Sequence, residues 1–249
     1  MELLRCDGLK KTFDGTRAVA GVTLEFPAKC ITAIIGPNGA GKTTLVNLLT
    51  GFIRPDDGRC FLGHLDITNI APHRIAKLGL SRTFQDLRLS QQITALNNVM
   101  MARPDQRGEK LFYALFRLGM GVEETRNHDE ALRLLDLVGL QAKANEFAGE
   151  LSYGEQKLLT LACCLATEAG ILLLDEPFSG IHTEVGIQIQ ELLRKLSQHG
   201  KSIIFIEHDI SAVRRIADAV IVMDEGKVIA KGAPGEVLER PEIMEAYIG

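Results

Sequence analysis

One run limits what this chain can fold into: Gly36-Pro37-Asn38-Gly39-Ala40-Gly41-Lys42-Thr43-Thr44. It reads as Gly, four residues, then Gly-Lys-Thr. Before it stands Ile31-Thr32-Ala33-Ile34-Ile35, a short apolar, β-branched run that predicts a buried strand. After it stands Leu45-Val46-Asn47-Leu48-Leu49, a helical stretch closed by Gly51. Strand, glycine-rich turn and helix are the context in which this spacing cradles phosphate. The glycines let the backbone reach positive φ and approach an anion closely. Free N–H groups at the helix start then point at that anion, and the helix dipole favours it. Lys42 adds a point charge for the terminal phosphates, and the Thr43 hydroxyl is a candidate Mg²⁺ ligand. Gly36, Pro37, Asn38, Gly39, Ala40, Gly41, Lys42, Thr43 and Thr44 are therefore the expected nucleotide contacts.

The segments around this loop divide by character. Residues 3–31 predict short strands, with Asp14-Gly15 as a hairpin turn and Pro27 ending the alternating run Val22–Phe26. Phe13, ahead of the loop, reads on spacing alone as a core residue, although an aromatic face can also stack on a purine. Residues 54–70 carry turn signals and a short strand at Cys60-Phe61-Leu62, and Pro72–Gly79 reads as a short helix. Gln85 leaves the strand-like run Ser81–Phe84. It can reach a metal or a water there, although taken alone it reads as an ordinary loop glutamine.

Over residues 86–168 strand signals give way to helical ones. Helices are expected from Leu96, through Leu111, Leu115, Leu118 and Val122, and at Leu132, Leu135 and Val138. Gly139 stops the last of these. Ser152 and Glu155 have capping-box spacing at the start of a helix reaching about Glu168. The same serine, Gly154 and the free helix N–H groups suit a second anion site. Ile171–Leu174 is a continuous apolar run ending in Asp175-Glu176, as in a parallel strand covered on both faces. Ligands of such sheets bind beyond the strands' carboxyl ends. Asp175 is thus expected near Mg²⁺, and Glu176 beside a water aimed at the γ-phosphate. Ser202–Ile206 predicts the next buried strand. It closes on Glu207-His208-Asp209, which puts His208 at a carboxyl end as a phosphate or water contact, and Asp209 at a helix N-cap.

Composition excludes several classes. The formal net charge is −4, so no basic nucleic-acid footprint is present. No apolar run of about 18 residues occurs, and the start lacks the apolar core of a signal peptide. The spacing of Cys6, Cys30, Cys60, Cys163 and Cys164 suits neither zinc nor a disulfide framework, which points to a reducing, cytoplasmic setting.

Taken together, these residues resemble the ATP-binding subunit of an ABC transporter, over essentially the whole chain. Gly36–Thr44 is similar to the Walker A loop, Ile171–Asp175 to Walker B, and Leu151–Gln156 to the signature motif. Gln85 stands at the Q-loop and His208 at the switch histidine. Phe13 falls where the family places its base-stacking aromatic.

The resemblance implies an α/β fold: a P-loop NTPase core of the RecA-like kind with a mostly parallel sheet, an N-terminal antiparallel β subdomain, and an inserted helical subdomain at 86–168. It implies ATP and Mg²⁺ as ligands, with Glu176, His208, Gln85 and Lys42 catalytic. It implies Phe13, the loop residues, Ser152, Gly154 and Glu155 on nucleotide, and Thr43, Gln85 and Asp175 on metal. The implied partners are a second cassette bound head to tail, membrane permease subunits and an extracytoplasmic solute-binding protein, at the cytoplasmic face of the membrane.

Ser81–Gln85, the helical insert near 103–128, Ile206–Asp209 and the ending 245–249 resemble branched-chain amino acid importer cassettes in particular. Urea-type importers and lipopolysaccharide-export cassettes look similar, and a soluble cassette of iron–sulfur cluster assembly is a further alternative. Two positions depart from the family pattern. Tyr153 stands where glycine is usual in the signature, and His182 where the D-loop usually ends in aspartate or asparagine.

Overall fold

The structure is a computed structural model, and it describes residues 3–83, 87–104, 120–241 and 243. Gln85, the apolar segment from Leu111 to Leu118 and the ending 245–249 lie outside the described residues. The chain divides into two compact units. One comprises residues 1–85, 170–179 and 193–249, and the other residues 86–169 and 180–192.

The first unit holds two sheets. Strand β1 (Leu4–Phe13) turns at Asp14-Gly15 into β2 (Thr16–Phe26). Both turn residues have positive φ, 46° and 85°, as a type I′ hairpin requires. β1 also pairs with β4 (Asp57–Leu62), and β4 with the short β5 (Leu65–Asp66), so the antiparallel order is β2-β1-β4-β5. Inward residues alternate with exposed ones along β1 and β2, as in a sheet with one dry face.

The second sheet has the order β10-β9-β3-β8-β7-β6. Its strands are β3 (Ile31–Ile35), β6 (Leu80–Arg82), β7 (Ile171–Asp175), β8 (Ser202–Ile206), β9 (Ala219–Asp224) and β10 (Lys227–Gly232). All pairings are parallel except β9 with β10, a hairpin turned at Glu225-Gly226. Every residue of β3, β7 and β8 is buried, which is why these strands read as unbroken apolar runs. Helix α1 (Lys42–Leu49) buries Leu45, Val46, Leu48 and Leu49 in a core shared with Ile34, Leu173 and Ile204. The carboxyl ends of β3, β7 and β8 lie by the glycine loop, and Glu176 after β7, with Ile206 and His208 at the end of β8, faces it. Short α2 (Pro72–Lys77) opens on the proline that fits its first turn.

The second unit is helical. It contains α3 (Ala95–Met101), α4 (Met120–Leu137), α5 (Tyr153–Ala166) and the start of α6 (Thr183–Gln198). Leu135, Val138, Leu158, Leu159 and Ala162 are buried in it. Gly139, at φ 75°, ends α4 as expected from sequence. Arg103 is buried and donates to Asn127 Oδ1 at 2.9 Å and Glu168 Oε1 at 2.9 Å. Returning to the first unit, α7 (Ile210–Ile216) is capped by Asp209, which accepts from Ser211 N at 2.8 Å, and α8 (Pro234–Val237) follows β10.

Candidate functional site

The glycine loop joins β3 to α1, and its backbone is wedged between neighbouring strands. A Cβ on Gly36 would lie 2.1 Å from Met223 O, and one on Gly41 would lie 2.1 Å from Ala18 O. No other residue fits at either place. Lys42 is 6% exposed, and its ammonium donates to Gly36 O at 2.7 Å and Pro37 O at 2.9 Å. Burial pushes its pKa down, while the charges of Glu176 and Asp175 oppose that shift. The cation therefore sits across the loop it must serve, near two carboxylates.

A cavity of about 300 Å³ opens over the loop. Residues 38–44 line it together with Ala18, Glu176, Ile206 and His208. The strand ends deliver the last three. Glu176 follows β7 directly and takes φ 47°, unusual for a residue with a side chain, while its N–H bonds Ile206 O at 3.0 Å. Its Oε1 lies 3.0 Å from His208 Nε2. A carboxylate and an imidazole thus face the phosphate-cradling backbone, which is the equipment needed to hold an anion and orient a water.

Asp175 stands one residue back, 6% exposed. Its Oδ2 is 3.0 Å from Arg82 Nη2, and both side chains are about 95% buried, at 4% and 5% exposure. Arg82 also donates to Asn47 Oδ1 on α1 at 2.6 Å and to Thr50 Oγ1, the residue that follows α1, at 3.3 Å. The Asp175 N–H donates to Thr83 Oγ1 at 3.2 Å. The arginine thus ties the end of β7 to the helix that starts at the loop. Nothing within the run Ser81–Gln85 marks Arg82 for this role, because its partners lie far along the chain.

The hard oxygens at hand, Thr43 Oγ1 and the Asp175 carboxylate, are what Mg²⁺ takes, and Mg²⁺ is ordinarily held by one or two such groups plus substrate phosphates. Among the described residues no group of three His, Cys, Asp or Glu could hold a metal unaided. The donor set therefore fits a metal that arrives with nucleotide.

The structure places the remaining expected residues as follows. Phe13 is 45% exposed at the end of β1, not in the core as its spacing suggested, with Lys11 Nζ 5.5 Å from its ring centroid. Ser152, Gly154 and Glu155 belong to the second unit, at the start of α5. There Ser152 Oγ accepts from Glu155 N at 3.4 Å and Glu155 Oε2 accepts from Ser152 N at 2.9 Å, a capping box. Lys143 at 2.8 Å, followed by the Ser152 groups, holds the Glu155 carboxyl below its usual range against partial burial. Tyr153 is 47% exposed and lies over Gly180, where a Cβ would come 3.1 Å from its ring. His182 is exposed.

A mostly parallel sheet with a phosphate loop after its first strand, and a carboxylate and a histidine past the ends of β7 and β8, defines a P-loop nucleotide-binding protein. The chain belongs to the ABC transporter family, whose profile matches residues 19–179. It is 37% identical over 249 residues to the high-affinity branched-chain amino acid transport ATP-binding protein BraF of Pseudomonas aeruginosa, covering 99% of this chain and 98% of that one. It is 35% identical to the probable branched-chain amino acid transport ATP-binding protein LivG of Archaeoglobus fulgidus, covering 100% and 96%. Among solved structures, a nucleotide-free ATP-binding cassette from an ABC transporter superposes with a TM-score of 0.87 at 32% identity over the full length of both chains. An ABC transporter cassette in its ADP conformation superposes at 0.84, also with 32% identity, over 100% and 99%. The α/β cassette fold and the ATP-binding class read from the sequence are thus established, and the chain is an ABC ATPase.

Proposed function

We propose that this chain is the ATP-hydrolysing subunit of an importer for branched-chain amino acids or a similar small polar solute. The observation that carries this reading is full-length similarity, at 35–37% identity, to branched-chain amino acid transport ATP-binding proteins, in a chain with a complete phosphate loop. Among the described residues no helix is long and apolar enough to cross a membrane, and in this reading separate permease subunits form the pathway. We place the chain at the cytoplasmic face of the membrane, paired with a second cassette and served by an extracytoplasmic solute-binding protein.

In this reading the loop N–H groups and Lys42 hold the β- and γ-phosphates, and the Lys42 charge offsets negative charge as the γ-phosphoryl group departs. Glu176 accepts a hydrogen bond from the attacking water, polarises it and aims it in line. His208, 3.0 Å from that carboxylate, keeps it oriented and contacts the γ-phosphate. Thr43 and Asp175, with Gln85, would hold Mg²⁺, which supplies charge neutralisation across the phosphates when bound. Ser152, Gly154 and Glu155 supply the helix start that meets nucleotide held by the paired cassette, and Phe13 stacks on the base.

The test is reconstitution. The chain and its co-purifying permeases, placed in vesicles with the cognate solute-binding protein, are expected to accumulate leucine, isoleucine or valine when ATP is supplied on the cassette side. Uptake of urea alone, or of no small solute, would redirect the cargo assignment. Recovery of the chain as a stable soluble assembly without permeases would overturn the transport reading.

A further inference from the structure

Glu207 lies between Ile206, which lines the cavity, and His208, and it is itself 3% exposed. A buried carboxylate at a strand end is expensive unless its oxygens are satisfied. Here backbone N–H groups satisfy them. Oε1 accepts from Phe178 N at 2.8 Å, and Oε2 accepts from His208 N at 3.1 Å. Phe178 is in the loop that carries Glu176, two residues on, whereas His208 is in the loop after β8. One carboxylate therefore has one oxygen on each of the two loops that carry the facing pair.

Two further contacts hold the same seam. Glu176 N bonds Ile206 O at 3.0 Å, and the Phe178 ring packs edge-on against Phe205 with centroids 5.9 Å apart. Burial raises the pKa of Glu207, and the Phe178, His208 and Asp209 N–H groups oppose that shift. Glu176 holds a positive-φ conformation that persists only where the surroundings fix it.

We propose that Glu207 is a positioning residue: its two oxygens set the spacing of the Glu176 and His208 loops, and so the direction in which Glu176 aims water. This rests on the reading of Glu176 given above. Glu207 touches no nucleotide in this scheme. The requirement is for two acceptors at once. Glutamine has the same shape but one acceptor, and its NH₂ would face one of the two N–H donors.

The experiment uses the full-length chain and measures nucleotide affinity with a fluorescent ATP analogue, thermal midpoint, and kcat and KM for MgATP. Glu207→Gln is expected to leave affinity and KM within about twofold while kcat falls about tenfold or more, the scale of one charge-assisted hydrogen bond acting on the transition state. In a Glu176→Gln background, Glu207→Gln is expected to cause no further loss, because it acts through Glu176. Glu207→Asp keeps the charge but is a methylene too short to span both loops, and is expected to lower kcat alike, which covers the case in which the glutamine variant fails to fold. A kcat within twofold of wild type in either variant overturns the proposal, as does a parallel loss of affinity and thermal midpoint in both variants, which marks simple structural damage. Normal turnover by Glu176→Gln alone would instead sink the role given to Glu176.

Discussion

Arg82→Met should unfold the nucleotide-binding unit more readily than most single substitutions. The side chain it replaces is 5% exposed and 3.0 Å from Asp175, itself 4% exposed at its side chain. At an effective dielectric near 20, two charges at that distance attract by about 5 kcal/mol. The arginine also satisfies Asn47 and Thr50. Methionine fills comparable space but leaves a buried carboxylate unpaired, which costs about 3–5 kcal/mol. At roughly 2–4 °C per kcal/mol, the thermal midpoint should fall by roughly 6–20 °C. Adding Asp175→Asn removes the orphaned charge, so the double variant should recover more than half of the loss. Denaturant titration followed by circular dichroism measures all four corners of the cycle. Loss of less than about 1 kcal/mol in the single variant, or strict additivity in the double, would show that the pair contributes nothing specific.

Glu176→Gln keeps the shape of the side chain but removes its charge; ATP binding should persist while hydrolysis drops by roughly 10²-fold or more, and near-normal turnover would contradict the assignment. Gly36→Ala places a methyl 2.1 Å from Met223 O, so the loop must shift, and ATP affinity measured by calorimetry should collapse; unchanged affinity would refute the wedged-loop geometry. Burial pushes the Cys6 and Cys60 thiols up to about 12, from an ordinary 9.0, so both should resist iodoacetamide at pH 8 until the chain is unfolded, and rapid labelling of the native protein would place them outside the core. Because the unfolded thiols ionise first, the stability they contribute is intact below about pH 9 and declines as pH climbs toward 12, which an alkaline unfolding series should record and Cys60→Ala should flatten.

Much of this architecture was legible because it is written locally. The β3-loop-α1 unit, the Asp14-Gly15 hairpin turn, the apolar strands β7 and β8, and the Ser152–Glu155 capping box each depend on residues within a few positions of one another. Phe13 was less legible: β1 ends there, and an alternation argument places a strand's terminal residue on either face with equal ease. Arg82 and Glu207 were illegible for a different reason. The partners of Arg82 stand 35, 32 and 93 positions away in sequence, on Asn47, Thr50 and Asp175, and Glu207 reaches Phe178 across 29. The packing of β6, β7, α1 and the loops after β7 and β8 brings those groups together, and no periodicity within one strand encodes it.

The glycine loop has a thermodynamic consequence. Its backbone is jammed from behind by Met223 O and Ala18 O and closed across the front by the Lys42 ammonium. Ordering a flexible residue costs about 1–2 kcal/mol, so preparing the six residues from Gly36 to Gly41 at the moment of binding would consume on the order of 6 kcal/mol or more. Folding has already settled that cost here. Nucleotide capture by this unit should therefore show a small entropy penalty, and its association rate should be governed by diffusion into the cavity rather than by loop rearrangement.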